Sequence, residues 1–190
     1  MKNPVYKIVI FTLLLSVFGS FANANPYQET IHKFKTSSAV TSLLDKAYGY
    51  AVFPTIGEGG LVVGGAGGKC QVYKKGTVTG TCSMVELSVG TLAGGQTYSQ
   101  MIIFENETAY NEFTTGEFEF SAEVKAVAID AKASMEASTA GNSATTATTK
   151  GKNDNARVNF KNGMAVLTIS KGGLMADASV SGQKYQFKPL

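Results

Sequence analysis

The residue types that most often perform catalysis are sparse in this 190-residue chain. Its single histidine, His32, has one acidic neighbour within reach, Glu29, three positions earlier. A Ser-His-Asp arrangement would need a serine and an acid supplied by distant parts of the fold, and no nucleophile-elbow motif occurs. We therefore expect His32 at the surface or at the boundary of the core, and we predict a protein that is not an enzyme and needs no cofactor.

Five glutamates cluster in the middle of the chain, and paired carboxylates can hydrolyse glycosides. They are Glu105, Glu107, Glu112, Glu117 and Glu119. Catalysis by such a pair requires a cleft and a defined separation, which the sequence does not show. An exposed acidic face explains the cluster adequately.

Two cysteines, Cys70 and Cys82, flank the turn sequence Lys74-Lys75-Gly76-Thr77 between two runs of alternating character. In a β-hairpin centred on this turn the cysteines face each other across the strands. A disulfide closing a loop of this size stabilises a domain by roughly 3 kcal/mol. We predict this disulfide and no metal site, because two cysteines lack the further ligands of a closed zinc site.

A glycine-rich stretch, residues 47–68, organises the rest of the chain. Its Val, Phe and Tyr residues favour strands, whereas its glycines favour bends and close backbone approach. A phosphate-binding loop is excluded, because Val63 stands where the Walker motif needs glycine before Gly68-Lys69, and Cys70 replaces its Ser/Thr. The stretch therefore predicts a sharply bent sheet.

The N-terminus has the pattern of a secretory signal peptide. Lys2 and Lys7 flank an apolar run over Ile8–Phe18, and Ala22-Asn23-Ala24 matches a cleavage site. The run is shorter than the ~20 residues that span a bilayer, so a permanent anchor is the lesser alternative. We predict a signal peptide over residues 1–24, one domain over residues 25–190, and an exported protein, periplasmic or secreted and in contact with a membrane surface.

Residues Tyr27–Tyr48 predict an amphipathic helix, because apolar residues recur at three- and four-residue spacings. Lys33, Lys35 and Lys46 lie along it. The helix either touches a membrane surface or packs over a sheet, and the pattern favours packing over a sheet because three lysines make a weak polybasic face.

The remaining pattern predicts a meander of short strands. Predicted strands cover Gln71–Tyr73, Thr77–Thr81, Met84–Leu92 and Gln96–Glu105, with alternation again at Phe118–Ala128 and Arg157–Phe187. Asn106 predicts a helix start, and residues 138–155 predict a mobile loop of low complexity. The fold class is α+β and β-rich. It is a strongly bent antiparallel sheet, barrel-like in its curvature, with an N-terminal amphipathic helix and one short helix after the central strands.

The net charge after removal of the signal peptide is +1, which argues against nucleic acid as the partner. The charge is unevenly distributed, with nine acids and two bases in residues 83–149 and seven bases and two acids in residues 150–190. The basic segment either faces anionic headgroups or pairs with its acidic neighbour.

The ordered combination of these motifs resembles the SYLF domain, a family that includes the actin-binding domain of yeast endocytic proteins. The matching residues form the run from Ala47 through Phe53-Pro54, the pairs Gly59-Gly60 and Gly64-Gly65, Ser88-Val89-Gly90, Gly94-Gly95-Gln96, Ile103-Phe104, Phe113, and Ser170-Lys171-Gly172-Gly173-Leu174. The resemblance covers roughly Ser37–Phe187.

The resemblance implies binding rather than catalysis, because eukaryotic relatives bind phosphoinositide membranes and yeast relatives bind actin. Actin is not the expected partner here, since an exported protein does not meet it. We predict binding to lipid or an anionic membrane surface, with contacts at Lys33, Lys35, Lys46 and Lys171. The alternative is an envelope protein that docks a partner protein through its sheet edge or acidic face.

Overall fold

The computed structural model describes residues 25–60, 63–89, 94–120, 126–129, 158, 160–172 and 182–190. The elements in chain order are α1 (Pro26–Phe34), α2 (Ser38–Lys46), β1 (Gly49–Gly60), β2 (Val63–Lys74), β3 (Thr77–Val89), β4 (Gly94–Phe104), α3 (Glu107–Phe113), β5 (Glu117–Glu119), β6 (Val127–Ala128), β7 (Met164–Gly172) and β8 (Gln183–Pro189). The predicted signal peptide and the predicted loop at residues 138–155 lie outside the described residues.

The eight strands form one sheet in the order β5-β8-β3-β2-β1-β4-β7-β6. All neighbouring strands are antiparallel except β6 and β7, which run parallel. The predicted α+β, β-rich class is therefore confirmed. Within the described ranges β5 and β6 end the sheet without pairing to each other, so the sheet does not close into a barrel.

The sheet is nevertheless strongly bent. Strands β4 and β8 are separated by three strands in the pairing order, yet the Gln100 side-chain amide donates to the Tyr185 hydroxyl over 2.9 Å. A flat sheet would keep these side chains about 19 Å apart at a strand spacing of 4.7–4.9 Å. The face that carries both residues is therefore concave, and we call it the inner face; the opposite face is the outer face.

Strand β1 bends at Pro54, where its pairing with both neighbours shifts register before Ile56. Proline has no N–H to donate to the ladder, and such positions accommodate bulges. The Pro54 carbonyl instead accepts from the Ser99 hydroxyl at 2.7 Å. Opposite the bend, a Cβ on Gly68 would lie 2.8 Å from Ile56 Cγ1, so the sheet can fold tightly here only with glycine.

The N-terminal segment packs on the outer face of the sheet. Of the two interpretations of its apolar spacing, packing over a sheet is therefore the correct one. Four apolar residues are buried against this face: Ile31, Phe34, Val40 and Leu44. The prediction of one helix over Tyr27–Tyr48 is wrong, because the helix is interrupted between α1 and α2. Ser37 is extended (φ −85°, ψ 123°), and this change of direction lets both short helices face the sheet.

The inner face is filled by α3 and an aromatic cluster. The predicted helix start is confirmed, since the Asn106 side chain accepts from the Ala109 N–H at 3.0 Å. Phe113 at the other end of α3 is fully buried, and its ring lies 5.0 Å from Phe104 and 5.3 Å from Tyr185. This packing attaches α3 to strands at both ends of the bend.

The predicted hairpin joins β2 and β3. Lys75 and Gly76 at its tip both have positive φ (49° and 82°), as a tight hairpin turn requires. Cys70 and Cys82 are direct cross-strand partners with Cα atoms 4.9 Å apart and form the predicted disulfide. Both cysteines face the inner core.

Candidate functional site

The outer face has two different halves. The helices cover the half at the hairpin end, whereas the half beyond the Pro54 bend carries a group of glycines that pair with one another across β2, β1 and β4. We call this group the glycine platform; its members are Gly57, Gly59, Gly65, Gly67 and Gly95. Because no side chain projects from these residues, the platform presents bare backbone to the outside.

The platform is bordered by two exposed aliphatic side chains. Val85 pairs with Gly67 and Leu87 pairs with Gly65, and their exposed fractions are 61% and 83%. Across the platform, a shallow depression of about 380 Å³ is lined by Gly57, Glu58, Gly59, Gly95, Gln96, Thr97 and Gly172. Val85 and Leu87 are two of the three large apolar side chains that are exposed among the described residues, so we take this surface as the candidate interaction site.

Lysines surround this half of the outer face. Lys69 lies on β2 next to the platform, and Lys184 on β8 is the cross-strand partner of Val85. Lys184 also approaches Glu119 at 3.6 Å, so one residue of the basic C-terminal segment pairs with the acidic middle of the chain. Lys171 on β7 donates to the Thr55 hydroxyl at 2.8 Å beside the bend.

The structure brings two of the predicted lipid-contacting lysines together. Burial and the nearby charge of Lys33 lower the pKa of the Lys171 ammonium, while Glu29 opposes this shift. Glu29 lies 2.6 Å from Lys33 and its pKa is lowered by that lysine. Glu29 forms its ion pair with Lys33, and Lys171 lies near enough for both charges to act on its pKa.

The other two predicted lysines, Lys35 and Lys46, are exposed at the ends of α1 and α2. They are available to headgroups, but the apolar side of these helices is not, because the sheet already buries it. Contact between a membrane surface and the apolar side of the predicted helix, one of its two interpretations, is therefore not compatible with the docked helices. Elsewhere on the outer face, the exposed large apolar side chains of the described residues are Val85 and Leu87.

The other sequence-selected residues take structural or solvated positions. His32 and all five clustered glutamates are exposed. Phe53 is fully buried with its ring 5.8 Å from that of Tyr185, whereas Gly59 pairs with Gly65 and Gly95, and Gly60 pairs with Gly64. Ser170 pairs with Tyr98 next to Lys171 and Gly172.

A hydrogen-bonded polar group occupies the inner face behind the platform. Gln100 donates to Tyr185, and Gln183 donates its amide to the Glu86 carboxylate at 2.8 Å. Burial raises the pKa of Glu86, and the negative charge of Glu58 raises it further, against the lowering effect of the Gln183 bond. Burial also raises the pKa of Tyr98, and both carboxylates add to that shift.

We expect Glu86→Gln to stabilise the domain, and only where Glu86 is ionised. A carboxyl whose folded pKa lies above its unfolded value binds its proton more tightly when folded, so its ionisation costs stability as pH rises through the folded pKa. The melting temperatures of wild type and E86Q should therefore agree near pH 3.5 and separate by pH 7.5, with E86Q higher. Thermal unfolding measured from pH 3.5 to pH 7.5 tests this prediction, and the exposed Glu112→Gln variant serves as the control. A difference in melting temperature between wild type and E86Q that does not change with pH would contradict the prediction.

Among the described residues, no helix is long and apolar enough to cross a membrane. Nor do those residues contain a group of three or more metal-binding side chains.

Comparison with known families identifies the chain. A family model described as Ysc84, Las17-binding protein actin regulator, matches residues 85–188, which is more than half of the 190 residues. The chain belongs to the Ysc84 (SYLF) family. The SYLF resemblance predicted from the sequence motifs is thereby confirmed. The matched range begins at Val85 and extends into β8.

The SYLF domain is also similar to a curated bacterial protein, beta cell expansion factor A of Aeromonas veronii. The two are 30% identical over 158 residues, which cover 82% of this chain and 51% of that relative. The chain thus spans about half the length of the curated relative it matches.

Proposed function

We propose that this SYLF domain binds an anionic lipid surface without catalysing a reaction, and that it does so as an exported protein. The observation that carries the proposal is the pair of exposed aliphatic residues, Val85 and Leu87, beside the glycine platform and among lysines. Lipid and actin binding are associated with the family, and of these two only a lipid surface fits an exported location.

The proposed mechanism combines apolar contact with charge attraction. Val85 and Leu87 would enter the boundary between headgroups and acyl chains, and the bare platform beside them lets the surface approach closely. Lysines near an anionic surface contribute about 1 kcal/mol each. Those on or beside the outer face are Lys33, Lys35, Lys46, Lys69, Lys171 and Lys184.

The leucine prediction has a closely matched control. Leu87→Ser should weaken co-sedimentation with phosphatidylglycerol-containing vesicles about tenfold or more, because burying a leucine contributes roughly 1.5–3 kcal/mol. Leu190 has almost the same exposed fraction, 84% against 83%, but lies beside Thr79, near the hairpin end of the sheet and away from the platform. Leu190→Ser should bind as wild type does. Equal losses in the two variants would remove the platform from the mechanism.

A second prediction concerns the charge of the lysines on α1 and α2 and its effect on vesicle binding. Replacing Lys33, Lys35 and Lys46 by glutamate together should abolish binding to anionic vesicles, because three attractive charges become repulsive. Binding by wild type should also fade between low and moderate salt as the Debye length shortens. Unchanged binding by the triple variant would exclude α1 and α2 from the contact.

A protein partner is the second candidate, and the edge of the sheet favours it. Strand β5 is a three-residue edge strand with exposed Glu117 and Glu119, and a cavity of about 450 Å³ adjoins it. Edge strands offer unpaired backbone groups to another chain. Salt-independent capture of an envelope protein, without vesicle binding, would favour this candidate over lipid.

A further inference from the structure

A groove crosses the three strands at one end of the sheet, on the outer face. It is the cavity of about 450 Å³ that adjoins β5, and we call it the edge groove. Met84 and Tyr185 on these strands are buried in the inner core, so the residues that alternate with them point outward. Six outward-facing residues line the groove: Ser83 and Val85 on β3, Lys184 and Gln186 on β8, and Glu117 and Glu119 on β5.

The register of the sheet arranges these residues in two parallel rows. Ser83, Gln186 and Glu117 are successive cross-strand partners, and so are Val85, Lys184 and Glu119. In both rows the middle strand supplies N–H donors and the edge strand supplies a carboxylate. The groove is therefore polarised across the strands, with donors on β8 and acceptors on β5.

The ionic groups of the groove do not fully satisfy one another. Lys184 approaches Glu119 at 3.6 Å, and both side chains are well exposed, 68% and 50%. Exposed ion pairs contribute little to stability, so the two groups can separate when a ligand offers other partners. Glu117 forms no ion pair with a described residue. The groove thus carries two negative charges against one positive charge.

The second row begins at the proposed lipid contact. Val85 is one of the two aliphatic residues that we place at the boundary between headgroups and acyl chains. From Val85 the row continues to the Lys184 ammonium and then to the Glu119 carboxylate, in steps of one strand spacing, about 4.8 Å. The headgroup of a lipid that contacts Val85 would therefore meet first a positive and then a negative side chain.

We infer that the edge groove binds the headgroup of an ethanolamine phospholipid, an inference that rests on the proposed function. This headgroup has the complementary order, with a phosphate next to the acyl region and a primary ammonium two carbon atoms further out, about one strand spacing away. Lys184 and Gln186 would donate to the phosphate oxygens. The ammonium carries three N–H donors, which the carboxylates of Glu117 and Glu119 would accept.

The same chemistry disfavours two other phospholipid headgroups. The trimethylammonium group of choline has no N–H to donate to the carboxylates. The headgroup of phosphatidylglycerol brings a negative charge and no positive one into a groove that already has an excess of negative charge, so it is repelled. Anionic lipids would therefore attract the domain through its lysines, while the groove selects the ethanolamine lipid.

Co-sedimentation with two kinds of vesicle tests the inference. Both contain the same fraction of phosphatidylglycerol, and the remainder is phosphatidylethanolamine in one and phosphatidylcholine in the other. Wild type should bind the ethanolamine vesicles about fivefold more tightly or better, a preference of the size that exposed ion pairs provide. Glu117→Gln with Glu119→Gln should bind both kinds equally. The control pair Glu105→Gln with Glu112→Gln removes the same charge from exposed residues outside the groove and should keep the preference.

The double variant also separates recognition from membrane packing. Entry of apolar side chains into a membrane depends on lipid composition, so ethanolamine lipids could favour binding without being recognised. If E117Q/E119Q keeps the preference of wild type, packing is the cause and the inference is overturned. Equal binding of wild type to both vesicles would also overturn it and leave the proposed function standing, whereas absence of all vesicle binding would overturn the proposed function.

A titration of wild type with soluble glycerophosphoethanolamine tests the groove without a membrane or a variant. The nuclear magnetic resonance signals of backbone amides on β5 and β8 should shift saturably, and glycerophosphocholine should not shift them. Absence of saturable shifts, or equal shifts with both compounds, would overturn the inference. Saturable shifts in a protein that binds no vesicles would assign the groove to a free phosphoethanolamine compound and overturn its assignment to a lipid.

Discussion

Phe113→Ala should lower the free energy of unfolding by about 3–5 kcal/mol, the range for removing a buried aromatic side chain. The ring is fully buried at the end of α3, where it lies 5.0 Å from Phe104, 5.4 Å from Phe118 and 5.3 Å from Tyr185. These partners come from three different strands. Truncation would therefore leave a cavity that no single element can fill by a small shift.

Urea denaturation followed by circular dichroism measures this loss, and Phe118→Ala provides the comparison. Phe118 belongs to the same aromatic cluster but is only half-buried, so its truncation should cost clearly less. A loss below about 1 kcal/mol for Phe113→Ala would mean that α3 does not stabilise the sheet as the packing indicates.

Removal of the disulfide should cost roughly 3 kcal/mol. Cys70 and Cys82 are twelve residues apart and pair directly across the β2–β3 hairpin. The bond therefore restricts the unfolded chain, while in the folded chain it joins residues that the sheet already places side by side. Replacement of both by alanine avoids placing hydroxyl groups in the inner core, where both sulfur atoms are buried.

The reducing agent dithiothreitol provides the control for this prediction. It should lower the free energy of unfolding of wild type by about the same amount and leave the double-alanine variant unchanged. If wild type is equally stable with and without dithiothreitol, the covalent link contributes nothing in solution.

Local patterns predicted the elements whose partners are close in sequence. The turn at Lys75-Gly76 sets the register that joins Cys70 to Cys82, and Asn106 marks the start of α3 through a bond within four residues. The break at Ser37 was missed, because the apolar spacing continues across it. Only contact with the sheet shows that Phe34 and Val40 belong to separate helices.

The candidate surfaces depend on pairing between strands that are far apart in the sequence. The spacing of apolar residues within one strand does not show which distant strand it pairs with. Val85 and Leu87 alternate with Met84 and Glu86, but alternation alone does not show which set faces outward. Likewise, Gln183 meets Glu86, 97 residues earlier in the chain, only because β8 pairs with β3. Residues 96–100, Gln-Thr-Tyr-Ser-Gln, are all polar, so no alternation there predicts which of them lie on the inner face.

The bond between Gln100 and Tyr185 also has a consequence for the order of folding. It links residues 85 positions apart in the sequence. The β1–β2 and β2–β3 hairpins can form while later residues are still being synthesised, since their contacts are local. The final curvature must wait for β8, so until β8 has been synthesised the central strands expose an inner face that chaperones or neighbouring chains can bind.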